Sequence, residues 1–68
     1  MLRGTRVRLN NKVKPLHLVG DEGFAFSRSK KTGYIEVLFY DKDVDWVSLW
    51  FSEDTLDIIE PPIELGKG

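Results

Sequence analysis

Apolar and polar residues alternate along this chain with the two-residue period of β-strands, and no window sustains the 3.6-residue period of a helix. Thr5-Arg6-Val7-Arg8-Leu9 alternates strictly, with Val7 and Leu9 on one face and Arg6 and Arg8 on the other. Gly4 before it and Asn10-Asn11 after it are breakers that bound this first strand. Pro15 excludes a central strand from the polar loop that follows, and Leu16, Leu18 and Val19 are expected to fold back over one end of the core. Gly20-Asp21-Glu22-Gly23 reads as a turn, and Phe24-Ala25-Phe26-Ser27-Arg28 as a second strand. Ser29 to Gly33 is a polar hairpin loop ending in glycine. Tyr34 to Tyr40 gives the strongest strand signal, with β-branched and aromatic residues around one charge, Glu36. Asp41-Lys42-Asp43 makes the next turn and Val44 to Phe51 a fourth strand. Ser52, followed by Glu53 and Asp54, predicts one short 3₁₀ turn. Leu56 to Glu60 is then a fifth strand, stopped by Pro61-Pro62.

The fold class is therefore all-β. Five short strands in so small a chain hide their edges only by curling into a barrel. One domain over residues 1–62 is expected, with 63–68 as a flexible tail. A chain of 68 residues buries only about 60% of its unfolded surface, so modest stability is expected. The absence of cysteine excludes disulfides and thiolate metal sites. No signal peptide opens the sequence and no apolar run approaches a membrane span, so a cytoplasmic location without membrane contact is expected.

The net charge of −1 hides an uneven distribution. Residues 1–31 carry eight Lys/Arg against two Asp/Glu, or +6, and residues 32–68 carry two against nine, or −7. Mutual neutralisation across paired strands is the simplest use of this asymmetry. A pI of 5.7 argues against general nucleic-acid binding.

No catalytic, cofactor or metal residue is assigned. His17, the single histidine, lacks a partner placed to make it a base. Asp41-Lys42-Asp43-Val44-Asp45 matches the start of a calcium loop, but Trp46 replaces the turn glycine and Ser52 the bidentate glutamate, leaving an acidic turn. The aromatic residues are more informative. If Ile35, Val37 and Phe39 face the core, Tyr34, Leu38 and Tyr40 point outward. If Val47, Leu49 and Phe51 face the core, Trp46 and Trp50 point outward beside them. A barrel this small cannot bury both faces, and exposed aromatic patches mark interfaces. Cover by the Leu16–Val19 loop and by Ile63 and Leu65 is the alternative. Arg28, Lys30 and Lys31 form a basic hairpin able to steer phosphate or an acidic protein such as a ferredoxin.

Certain stretches carry a resemblance. Arg3-Gly4-Thr5-Arg6-Val7-Arg8-Leu9 is similar to the first strand of the small barrel-shaped accessory protein of photosystem I. Val37-Leu38-Phe39, the acidic loop, Trp50-Phe51-Ser52-Glu53-Asp54-Thr55-Leu56 and Asp57-Ile58-Ile59-Glu60 resemble the variable chain of ferredoxin–thioredoxin reductase and the small SH3-like subunit of the photosynthetic NDH complex. Gly20-Asp21-Glu22-Gly23 resembles a KOW motif, with Ala25 where those relatives carry valine or isoleucine. The resemblance implies a small five-stranded SH3-like barrel with a 3₁₀ turn before the last strand, and a non-enzymatic accessory or docking role. The expected protein-binding site is Tyr34, Leu38, Tyr40, Trp46 and Trp50 with Arg28, Lys30 and Lys31. The partner is a protein, in a larger complex or a homo-oligomer. The alternative is nucleic acid bound by a KOW- or Tudor-like barrel.

Overall fold

The computed structural model describes residues 3–61. Five antiparallel strands form one sheet: β1 (Arg6–Leu9), β2 (Glu22–Arg28), β3 (Ile35–Asp41), β4 (Asp45–Phe51) and β5 (Leu56–Glu60). Their spatial order is β4-β3-β2-β1-β5, so β2, β3 and β4 meander while β5 returns beside β1. Single 3₁₀ turns lie at Leu16–Leu18 and Glu53–Thr55. The protein is all-β, as the alternation predicts.

All five strands send residues into one core: Val7 and Leu9, Ala25, Ile35 and Val37, Phe51, and Leu56, joined by Val13 from the first long loop. Burying each of the larger aliphatic side chains stabilises the fold by about 1.5–3 kcal/mol. Phe39 and Leu18 pack against the cluster, and Phe39 meets Phe51 edge-on at 5.9 Å. A sheet whose every strand reaches one cluster must bend around it, an arrangement compatible with a small β-barrel. The turn at Glu53–Thr55 joins the end of β4 to the start of β5. The Thr55 hydroxyl donates to the Ser52 carbonyl at 2.7 Å, whereas the Ser52 side chain makes no capping bond.

Three expectations are corrected. Gly23 belongs to β2 rather than to the preceding turn, which closes at Gly20 (φ 93°) with Gly20 N–H donating to Leu9 O at 2.8 Å. Leu16 and Val19 do not cover the core; both are exposed, Leu18 is half-buried, and Val13 is the loop residue driven inside. Leu49 alternates with the core-facing residues of β4 yet is exposed, because β4 is an edge strand and only its end, at Phe51, reaches the cluster. The expected tail at 63–68, with Ile63 and Leu65, lies outside the described residues.

The charge asymmetry resolves partly into ion pairs. Arg6 bridges Glu22 at 2.9 Å and Glu60 at 3.0 Å, Arg8 meets Glu22 at 2.8 Å, and Arg28 pairs with Glu53. Two of these, Arg6–Glu60 and Arg28–Glu53, cross from the basic to the acidic half.

Candidate functional site

The candidate site starts from a small residue. Gly23 lies on the core side of β2, at a place where a Cβ would lie 2.5 Å from Leu38 O and 2.8 Å from Val37 Cγ1. Ala25, also inward, is buried against Val37 in the register of β2 and β3. With only these small groups fitting inside, Phe24 and Phe26 must stand on the outer face. Both are exposed.

Cross-strand register then assembles the face. Phe24 opposes Leu38, which opposes Ser48; Tyr40 opposes Trp46; Glu36 opposes Trp50. Trp46 stacks edge-to-face on Tyr40 at 5.4 Å and on Phe24 at 6.3 Å. Such pairs contribute about 0.5–1.5 kcal/mol beyond area burial, so the cluster is held in place by its own contacts. Trp46 nevertheless remains 56% exposed and Tyr40 62%. Leu38 is half-buried beneath them. A cleft of about 130 Å³ opens between Arg6, Glu22, Phe24, Leu38, Tyr40 and Trp46.

Charge frames this cluster on the β1 side. The Arg8 hydrogen bond holds the Glu22 carboxyl below its usual range, against a desolvation that works the other way, with Arg6 adding to the lowering. The hydrogen bonds that the Arg6 guanidinium donates to Glu60 and Glu22 raise it above its ordinary value. The Arg3 guanidinium lies over the Phe26 ring at 4.3 Å.

Tyr34 and Trp50 form a second exposed patch beyond Glu36. One side is a groove of about 310 Å³ with Ser29 and Thr32; the other is a groove of about 270 Å³ lined also by Lys12, Lys14 and Ser52. The hairpin below carries its own bonds: Ser29 N–H donates to Tyr34 O at 2.9 Å, and Ser29 Oγ accepts from Lys31 and Thr32 N–H at 3.3 Å.

The eight sequence-derived residues therefore separate. Leu38, Tyr40 and Trp46 come together; Tyr34 and Trp50 form the neighbouring patch; Lys30 and Lys31 are exposed on the hairpin. Arg28 is engaged by Glu53. Phe24, Phe26, Lys12 and Lys14 are additions. The signal for the two phenylalanines was the small-large alternation Gly23-Phe24-Ala25-Phe26.

Elsewhere, His17 is exposed in the 3₁₀ turn at Leu16–Leu18. The acidic turn is the β3–β4 hairpin loop, where Asp41 Oδ1 accepts from Asp43 N–H at 2.8 Å. Among the described residues no three His, Asp or Glu side chains are grouped to share a metal ion, and no helix is long and apolar enough to cross a membrane. No protein-family description, curated protein or solved structure matches the chain.

Proposed function

We propose that this chain is a non-enzymatic docking module, built as an SH3-like barrel, that binds a protein partner through the outer face of β2, β3 and β4. The observation that carries the reading is the exposed cluster in which Phe24 and Tyr40 both pack edge-on against Trp46, beside half-buried Leu38. Aromatic residues fixed in this way give contact area at little entropic cost, and the neighbouring ion pairs supply a polar rim. Tyr34 and Trp50 extend the contact, and Lys30 and Lys31 favour an acidic partner. The role is that of an accessory protein of a larger complex in a cytosolic setting. The engagement of Arg6, Arg8 and Arg28 by glutamates supports a protein over nucleic acid, which needs uncommitted cations along a phosphate track.

The test is affinity capture from source-cell lysate, with and without nuclease, using the wild type and Trp46→Ala. A stoichiometric protein that survives nuclease and is lost with Trp46→Ala is the expected result. Capture abolished by nuclease would transfer the site to nucleic acid, with exposed aromatics stacking on bases. Capture unaffected by Trp46→Ala would refute the face.

A further inference from the structure

The two edges of the sheet are treated differently by the sequence. At one edge, β5 has five residues, carries Asp57 and Glu60, pairs with β1 through a register shift and runs into Pro61. Short length, charge, irregularity and proline are the devices by which natural sheets block further pairing. At the other edge, β4 has seven residues, Asp45-Trp46-Val47-Ser48-Leu49-Trp50-Phe51, with neither lysine, proline nor glycine among them. It pairs with β3 over all seven positions without a bulge, and among the described residues with nothing else. Its outward backbone groups are a template for another strand. Val47 and Leu49, on the core side, are left incompletely covered.

We propose that the strand occupying this edge is β4 of a second copy, paired antiparallel about a two-fold axis at Ser48. Over its five central positions the sequence is self-complementary in that register, with Asp45 against the partner copy's Phe51 at each end. Continuing a sheet requires opposed residues to share a face, and centring on Ser48 overlaps all seven residues. It opposes Trp46 to the partner copy's Trp50 on the outer face, and Val47 to its Leu49 on the core side. The half-covered aliphatic residues thereby complete each other's cover. Two strands of about 23 Å, with four half-exposed indoles, bury roughly 800–1,000 Å² in total, below the ~1,200 Å² of a standard interface. The dimer is accordingly weak, with a dissociation constant on the order of 10–100 μM. The contact is isologous and closes on itself, so it ends at two copies. It shares Trp46 and Trp50 with the proposed docking face but rests on the sheet edge, and self-association of the pure protein tests it apart from partner capture.

The experiment is sedimentation equilibrium on the wild type, Ser48→Lys and Ser48→Glu, with far-UV circular dichroism confirming each fold. Ser48 is exposed, so both variants keep the monomer intact, but each places like charges against themselves at the axis. The expected result is a concentration-dependent wild-type dimer, weakened about fivefold in each variant at low salt, and restored when the two variants are mixed. A wild type that stays monomeric to ~1 mM overturns the proposal, since the edge is then covered by another segment or reserved for a foreign strand. A dimer indifferent to both variants, or mixed variants no tighter than either alone, overturns it equally.

Discussion

Substituting Gly23 by alanine sets two opposed effects against each other. Gly23 is not among the residues with positive φ, so alanine adopts its backbone without strain. On that ground alone the change would stabilise the protein by about 0.4–1 kcal/mol, through a less flexible unfolded chain. Against this, the new methyl would lie 2.5 Å from Leu38 O, 2.8 Å from Val37 Cγ1 and 3.0 Å from Phe39 Cδ1. The nearest of these is backbone of β3, and it can retreat only by pulling β3 away from β2. Overpacking of this kind costs about 1–3 kcal/mol, towards the upper end where backbone must move. The net expectation is a loss of about 2 kcal/mol, or a fall of about 8–16 °C in melting temperature for a domain this size. Thermal and urea denaturation followed by circular dichroism measure it. Trp46 fluorescence should report the same displacement, since Phe24 stacks on Trp46 and adjoins Gly23. Equal or greater stability for Gly23→Ala would refute the claim that close approach of β2 to β3 dictates the small inward residues.

Other outcomes follow from the same geometry. Val13 is 1% exposed, so Val13→Ala should cost about 1.5–2.5 kcal/mol for two lost methylene equivalents; exposed Leu16→Ala should cost under about 0.5 kcal/mol in the same denaturation assay. Asp45 ends the β3–β4 turn at φ 73°, a left-handed conformation that favours glycine; Asp45→Gly should raise stability by about 0.5 kcal/mol in urea unfolding, the relieved strain exceeding the added chain entropy. Because the folded-state pKa of Glu22 is lowered, its ionised form adds stability that is present above about 4.5 and lost as pH falls through the depressed folded value. Urea midpoints measured from pH 7 down to pH 2 should therefore fall less steeply for Glu22→Gln than for the wild type.

Strand periodicity made the fold class legible, because β1 and the first halves of β2 and β3 alternate buried with more exposed residues, so that period two survives in the residue order. Leu56–Glu60 and the 3₁₀ turn ahead of it are where the sequence places them. What local pattern could not carry was decided by distant packing. Gly23 looks like turn chemistry, and only the proximity of Leu38, fifteen residues away, reveals it as a strand residue without room for a side chain. The same applies to the loop before β2: Val13 and Leu16 are equally apolar, but only Val13 meets the cluster. Of the candidate site, the outward turn of Tyr40, Trp46 and Trp50 was readable from alternation with the core residues. The place of Phe24 was not, since Ala25 is too small to mark an inward face by hydrophobicity alone.

The inward demand on β2 explains why its large side chains stand outside, but not why those side chains are aromatic. The fold needs a small residue at Gly23 and tolerates any strand-former at position 24. Threonine or lysine there would satisfy β-propensity and water together. Position 6, in register with Phe24 on the neighbouring strand, uses that freedom for a charge: Arg6 is bridged to Glu22 and Glu60. On one continuous sheet face the chain thus places ion-paired polar residues over β1 and stacked aromatic residues over β2, β3 and β4. Folding requires the first pattern no more than the second. An apolar centre with a charged margin on one side is the pattern the proposed docking reading requires, and loss of partner capture with Trp46→Ala is what separates that reading from aromatics stranded by a small core.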